Sequence, residues 1–136
     1  MDSSRVLEVL HDAVCTNIRF DIADSVRRRI ELSIRMSDAC GDPTYAGATL
    51  RLGFVGVAAV NYFGAYYCAS PETIDGWSWS VSPAFEKRLH DLLRLGIPCG
   101  GLLGMLQMHT GTCLELSFDG CEAILEPGIT AMATAR

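Results

Sequence analysis

The sequence predicts an α+β fold that is mainly β, with antiparallel strands, one well-defined helix at about residues 83–95 and a short N-terminal helix. Short segments of alternating apolar and polar residues recur along the chain, and Gly, Pro, Asp and Ser separate them. The 136 residues and the apolar content of 49% fit one domain with its own core. We expect this domain to span residues 1–126, followed by a flexible tail at 127–136.

The N-terminal segment is predicted to form a short helix followed by a β-hairpin. Ser3 or Ser4 can cap the helix, because the apolar residues between positions 6 and 14 fall at helical spacing. From residue 17 the period changes to two, and a second alternating run follows at residues 29–36. Since both runs have one apolar and one polar face, we expect them to pair as antiparallel strands.

The middle of the chain is predicted to hold a loop and further strands. Residues 37–47 contain the Gly, Pro, Asp and Ser that are typical of a loop. Residues 49–60 alternate at first and then become continuously apolar, which indicates a central strand that is buried on both faces. Four short strands are expected beyond it, at residues 77–81, 102–109, 113–118 and 121–125.

The main helix is predicted from Pro83 to Leu95. Ser82 is a suitable N-cap, and Pro83 stands at the first helical position, where its missing amide hydrogen is not needed. Gly96 ends the helix. Four apolar side chains fall on one face and are expected to contact the core: Phe85, Leu89, Leu92 and Leu93.

Asp119 and Gly120 are predicted to form a two-residue hairpin turn, because Asp-Gly between two alternating runs is the strongest local signal for one. In this register Phe118 faces Cys121, while Cys113 lies about 17 Å farther along the strand. A disulfide spans at most ~7 Å between Cα atoms, so the two thiols cannot be partners. Three glutamates then share an outer face that has Asp119 at its tip: Glu115, Glu122 and Glu126.

The six cysteines are predicted to be reduced, and we expect neither a metal site nor a cofactor. The chain has no C-x-x-C motif, whereas structural zinc sites need ligands in closely spaced pairs. Acidic residues near the N-terminus do not fit a secretory signal, so a cytoplasmic location is expected.

Charge and hydropathy disfavour two classes of partner. The net charge of -5 disfavours binding to the phosphates of nucleic acid. The apolar runs are shorter than the roughly 18 residues that a membrane-spanning helix needs. A protein partner is therefore the expected class, and a homo-oligomer is also open.

Few residues stand out as candidates for a functional site. His109 and Cys113 could form a nucleophilic pair, because an imidazole can activate a thiol, but the turn between them does not fix their distance. Trp77 and Trp79 share one face of a strand, where they either contact a partner or pack beneath the main helix. The expected binding residues are Trp77, Trp79, Glu115, Asp119, Glu122 and Glu126.

Three segments carry a resemblance to a known group of proteins. They are LHDA at residues 10–13, TLRLGFVGVAAV at residues 49–60 and ELSFDGCEAIL at residues 115–125. In length and in the order of its elements, the chain resembles small bacterial immunity proteins of polymorphic toxin systems. The resemblance implies a cytoplasmic protein that binds and blocks a cognate toxin domain and has no catalysis of its own. It assigns no site residue.

The leading hypothesis is therefore a non-enzymatic bacterial protein-binding domain that uses an acidic surface with aromatic side chains. One alternative is a small enzyme or ligand-binding fold in which Cys113 and His109 line a pocket. Another is a structural or oligomeric component that buries Trp77, or Tyr66 and Tyr67, between protomers.

Overall fold

The computed structural model describes residues 3–21, 28–64 and 72–126, and its eight strands form one antiparallel sheet. The mainly β, antiparallel α+β prediction is confirmed. The predicted tail at 127–136 lies outside the described residues. In chain order the elements are α1 (Ser3–Glu8), β1 (Val14–Asp21), β2 (Arg29–Arg35), β3 (Thr49–Val55), β4 (Ala59–Phe63), β5 (Glu72–Ser78), α2 (Pro83–Arg94), β6 (Leu102–Met108), β7 (Cys113–Phe118) and β8 (Gly120–Leu125).

The sheet curls so that its two ends meet. Its strand order is β4-β7-β6-β5-β1-β2-β3-β8, so β3 and β4 lie near opposite ends although only residues 56–58 separate them in the chain. The same holds for β7 and β8, which Asp119 alone separates. Residues 49–63 therefore pair with residues 113–125 as one long two-stranded ribbon that bends at a corner.

The bend at this corner replaces the predicted hairpin at Asp119 and Gly120, and that prediction is wrong. Phe118 faces Leu102 in β6, and Cys121 faces Phe54 in β3. A two-residue type I′ turn requires positive φ at both central residues. Neither residue has positive φ. The two strands of the predicted hairpin pair with other strands instead, β7 with β6 and β8 with β3.

Gly56 makes the corner on the opposite strand. Its φ of 65° lies in the left-handed region, and a Cβ atom there would clash with the Asp119 carboxylate. The backbone amide of Asp119 donates to the Val55 carbonyl at 2.9 Å, and that of Ala58 donates to Ser117 at 3.0 Å. Hydrogen bonding between the two strands thus continues around the bend.

Several strand predictions are confirmed and others are corrected. The β1–β2 pairing is present, and the predicted apolar face of β2 is buried. The segment at 49–60 is not one central strand: its second half enters β4, an edge strand whose Val60 is exposed. The first helix ends at Glu8, well before residue 14, because the chain turns at Asp12, whose φ is 65°.

The core lies between the facing halves of the curled sheet. Three rings meet there, since Phe54 stacks on Trp77 at 5.4 Å between centroids and contacts Phe118 edge-on at 5.0 Å. A Cβ atom at Gly104 would clash with the Trp77 indole, so only glycine leaves room for that ring. Buried aliphatic residues from both halves complete the core, among them Ile30, Leu32, Leu52, Leu106, Leu114 and Leu116.

Helix α2 has the predicted bounds to within one residue. The Ser82 hydroxyl accepts a hydrogen bond from the Phe85 amide at 3.3 Å, which confirms the N-cap. Phe85 and Leu89 are buried, while Leu93 is 53% exposed, so the apolar contact is narrower than predicted. No helix among the described residues is long and apolar enough to cross a membrane.

Candidate functional site

Glu115 lies inside the protein and not on the predicted acidic surface. Its carboxylate is fully buried on β7 and accepts hydrogen bonds from the Ser82 amide at 2.6 Å and the Ser82 hydroxyl at 3.1 Å. The side-chain amide of Asn61 on β4 donates a third bond at 3.1 Å. A negative charge at the N-terminus of a helix is also favoured by the helix dipole. Glu115 therefore fastens α2 to β7 and β4.

The other predicted acidic residues are spread over two places. Glu122 pairs with Arg29 at 3.1 Å, and Glu126 pairs with Arg51 at 3.1 Å. Glu31 contacts both arginines, so these side chains form a nearly neutral ladder on the outer face of β2, β3 and β8. Asp119 lies at the corner, where it lines a cleft of about 290 Å³.

The two tryptophans have different environments. Trp77 is partly buried against Phe54, and its indole nitrogen Nε1 is buried with no hydrogen-bond partner among the residues that the structure describes. Trp79 is 44% exposed and packs edge-on against Trp77 at 5.4 Å between centroids. Of the two, Trp79 is therefore the one that a partner could contact.

A groove of about 550 Å³ lies between α2 and the start of β4. Arg28, Arg29 and Arg88 line it, and no carboxylate residue lines it among the described residues. The cleft that Asp119 lines adjoins this groove, because Arg28 borders both. Apolar side chains form the rest of the groove: Phe20, Ile30, Val57, Val60, Phe85 and Leu92.

The groove continues onto an exposed apolar surface along β4. Phe20 is 42% exposed and Tyr62 is 49% exposed, and their rings contact each other edge-on at 6.1 Å between centroids. Val60 and Phe63 on β4 are also exposed. Among the described strands β4 pairs with β7 alone, so it is the terminal strand at that end of the sheet.

A second group of polar side chains meets at the far end of β5 and β6. His11 and Asp12 come from the turn after α1, Asp75 from β5, and His109 from the turn after β6. The His109 Nε2 atom lies 3.7 Å from Asp12 Oδ1 and 3.6 Å from Asp75 Oδ1. The His11 Nε2 atom lies 3.4 Å from Asp12 Oδ2. We call these four residues the histidine–aspartate cluster.

Three successive backbone carbonyls of β5 form hydrogen bonds with residues of this cluster, two with backbone amides and one with the His11 ring. The His109 amide donates to the Thr73 carbonyl at 2.9 Å, and the Asp12 amide donates to the Ile74 carbonyl at 2.8 Å. The His11 Nδ1 atom is 2.7 Å from the carbonyl of Asp75. This bond and the nearby Asp12 carboxylate raise the pKa of His11.

His109 and Cys113, the possible nucleophilic pair, have different polar partners. Within the described part of the chain, the ion-pair partners of His109 are Asp12 and Asp75. The Cys113 thiol is buried and donates to the Gly111 carbonyl at 3.5 Å. Burial raises the pKa of this thiol, which favours the unreactive protonated form.

No local pattern in the sequence indicates the histidine–aspartate cluster as a unit. His11, Asp75 and His109 lie 64 and 34 positions apart, and only the pairing of β5 with β1 and β6 brings them together. The β5–β6 register shifts between Ile74 and Gly76, and this bulge contains Asp75. The groove was missed for the same reason, because its walls come from α2 and from β4.

No family model matches the chain, and no curated protein and no solved structure matches it either.

Proposed function

We propose that this chain is a non-enzymatic protein-binding domain, and that its binding surface is the arginine-lined groove with the adjoining apolar surface of β4. The partner contributes an extended segment that carries apolar and acidic side chains. The observation that carries the proposal is the combination, at one place, of a terminal strand, exposed apolar side chains and arginines.

The position of β4 at the end of the described sheet supports strand addition. An exposed edge offers unpaired backbone amides and carbonyls, and an extended peptide can pair with them as a further strand. Backbone pairing supplies affinity in this mode, and pockets for alternate side chains supply specificity. The groove beside Val60 and Asn61 is placed to receive such side chains.

The exposed side chains of Phe20, Val60 and Tyr62 support an apolar contact. Aromatic residues are enriched at the centres of protein interfaces, where they bury large areas. Since Phe20 and Tyr62 already contact each other, they form a continuous apolar surface and not scattered single residues.

The arginines indicate the charge of the partner. The chain carries a net charge of -5, yet Arg28, Arg29 and Arg88 line the groove. Arg29 is paired with Glu31 and Glu122, whereas Arg28 and Arg88 have no ion pair among the described residues. An acidic side chain of the partner would satisfy them with bidentate hydrogen bonds. The arginines therefore favour a partner segment that is acidic. The acidic surface expected from the sequence would instead have suited a basic partner.

The narrower form of the proposal is that the partner is a bacterial toxin domain. It rests on the resemblance to immunity proteins and on the order of elements in the chain. Four of the residues expected to bind a partner also belong to this proposal: Trp79, Asp119, Glu122 and Glu126. Of these, Asp119 lines the cleft that adjoins the groove.

A selection of extended peptides on the folded domain tests the proposal. We expect enrichment of segments that alternate apolar residues with Asp or Glu, and protection of the β4 amides from hydrogen exchange on binding. Arg88→Glu should weaken binding of a selected peptide by about tenfold or more, as expected for loss of a charged pair. Arg94→Glu, on the same helix but outside the groove, is the matched control and should bind as the wild type does.

Two results would contradict the proposal. One is a selection without acidic enrichment, and the other is equal loss of binding in Arg88→Glu and Arg94→Glu. Circular dichroism of both variants shows whether each remains folded.

A further inference from the structure

We infer that the histidine–aspartate cluster, formed by His11, Asp12, Asp75 and His109, binds a transition-metal dication of the Zn²⁺ class. This site is separate from the groove, since the two share no residue. The inference therefore does not depend on the proposed function.

The spacing of the ligand atoms fits a tetrahedral ion. One ligand atom from each of His11, Asp12 and His109 lies within 4.8 Å of the others. The distances to Asp12 are 3.4 Å from His11 Nε2 to Oδ2 and 3.7 Å from His109 Nε2 to Oδ1. Ligands bound to tetrahedral zinc at 2.0–2.1 Å are about 3.3–3.4 Å apart. The separations between the three ligand atoms would therefore shorten by up to about 1.5 Å when the ion binds.

Asp75 lies beside these three residues, and its carboxylate would move closer to them to supply a fourth ligand. Its Oδ1 atom is 3.6 Å from His109 Nε2, on the side of that ring where Asp12 also lies. Two imidazoles and two carboxylates give a ligand set with two negative charges, which balances a dication. Imidazole ligands favour Zn²⁺ and similar transition metals over Ca²⁺ and Mg²⁺, which take oxygen ligands.

The hydrogen bond of His11 sets the tautomer that a metal requires. A backbone carbonyl can only accept, so the 2.7 Å contact with the Asp75 carbonyl places the proton on Nδ1. The Nε2 atom of the neutral ring then presents a lone pair towards Asp12. Metal-binding histidines commonly donate their second nitrogen to a carbonyl or carboxylate in this way.

The supporting structure holds the ligands before any metal arrives. The amides of Asp12 and His109 are bonded to neighbouring carbonyls of β5, as described above. The turn after His109 is fixed as well, because the hydroxyls of Thr110 and Thr112 both donate to Glu72 at 3.0 and 3.2 Å. Asp12 is held at a φ of 65°, a conformation that few residues other than glycine adopt. Such preorganisation lowers the entropic cost of binding.

A titration with Zn²⁺ tests this inference, on protein that is free of affinity tags and has been treated with a chelator. At about pH 8, where imidazoles are largely neutral, calorimetry should show one saturable site per chain. His109→Ala and Asp75→Asn should each weaken binding by about tenfold or more, since ligand and support residues have effects of this size. His90→Ala removes another exposed histidine, on α2, and should bind as the wild type does.

Co²⁺ spectroscopy distinguishes this site from binding to the cysteines. Ligation by nitrogen and oxygen gives tetrahedral ligand-field bands without the near-ultraviolet charge transfer that thiolates produce. The inference is overturned if no saturable Zn²⁺ binding occurs, if thiolate charge transfer accompanies it, or if folded His109→Ala and Asp75→Asn bind as the wild type does.

Discussion

β7 and β8 are consecutive parts of one extended run of chain, yet they lie in different environments. All six residues of β7 are buried, because its inner face contacts the core and α2 is fastened over its outer face. The outer face of β8 carries exposed Glu122 and Ile124. The glutamate on β7 is a buried anchor, whereas those on β8 belong to a surface ladder with arginines.

The role of an outward-facing side chain therefore depends on whether another part of the chain packs over that face of the strand. Both strands have an apolar inner face and a glutamate on the outer face, and the sequence around them does not distinguish a covered face from an open one. At Asp119 the chain leaves β7, which contacts the start of α2, and enters β8, whose outer face carries the ion-pair ladder.

Replacing the buried glutamate should have the largest effect on stability. Glu115→Ala leaves the Ser82 and Asn61 donors without their acceptor, so we expect a loss of about 3 kcal/mol or more. Glu122→Ala removes an exposed ion pair and should cost less than ~1 kcal/mol. Urea denaturation of both variants gives the two free energies of unfolding. Equal losses of unfolding free energy in the two variants would contradict the burial of Glu115 beneath the start of α2.

The ring cluster in the core gives the second prediction. Gly104→Ala forces a Cβ atom against the Trp77 indole, and we expect a loss of about 1–3 kcal/mol with a change in near-ultraviolet circular dichroism. Gly76→Ala is the matched control, because it is also a strand glycine but has no atom within 4 Å of an added Cβ. A neutral Gly104→Ala would contradict the packing of Trp77 over β6.

The corner between the two regions can be tested at Gly56. Gly56→Ala combines a left-handed φ with a clash against Asp119, so it should cost more than the roughly 1–2 kcal/mol of the φ penalty alone. Gly96→Ala isolates that penalty, since Gly96 has a φ of 78° and open space around it. Thermal unfolding of both variants measures the difference. If Gly96→Ala were as destabilising, Asp119 would not lie against Gly56.

The smallest predicted effect depends on pH and concerns Cys15 on β1. Burial raises the pKa of its thiol to about 11, from the ordinary value of 9.0 that holds in the unfolded chain. Because the folded state holds the proton more tightly, this contribution to stability is complete below pH 9.0 and is lost as the pH rises towards 11. At about pH 10 the loss is of order 1 kcal/mol.

Comparison with Cys15→Ala checks the pH prediction. Other groups also titrate in this range, so the relevant quantity is the difference between the pH dependences of the two proteins. The wild type should lose more stability above pH 9 than the variant does, and parallel curves would contradict the burial of this thiol.

Local signals in the sequence were sufficient for elements whose partners are local. Ser82 and Pro83 determine where α2 begins, and the alternation of residues 30–36 determines the buried face of β2. Both signals act within a few residues, and no distant contact competes with them.

Features that depend on distant pairing could not be read from the sequence. The Asp-Gly signal at 119–120 is overridden because β3 and β6 pair with the flanking strands. Glu115 and Ser82 lie 33 positions apart, so its burial depends on where α2 is placed. The histidine–aspartate cluster likewise needs β5 between the two turns that carry His11 and His109.

The central structural claim is that the chain continues through Asp119 and does not reverse there. Nuclear Overhauser effects between backbone protons measure this directly. We predict cross-strand effects between Leu52 and Ala123 and between Leu102 and Phe118, which are opposed in the sheet. Effects between Leu116 and Ala123, which only a hairpin at 119–120 would bring face to face, would contradict the claim.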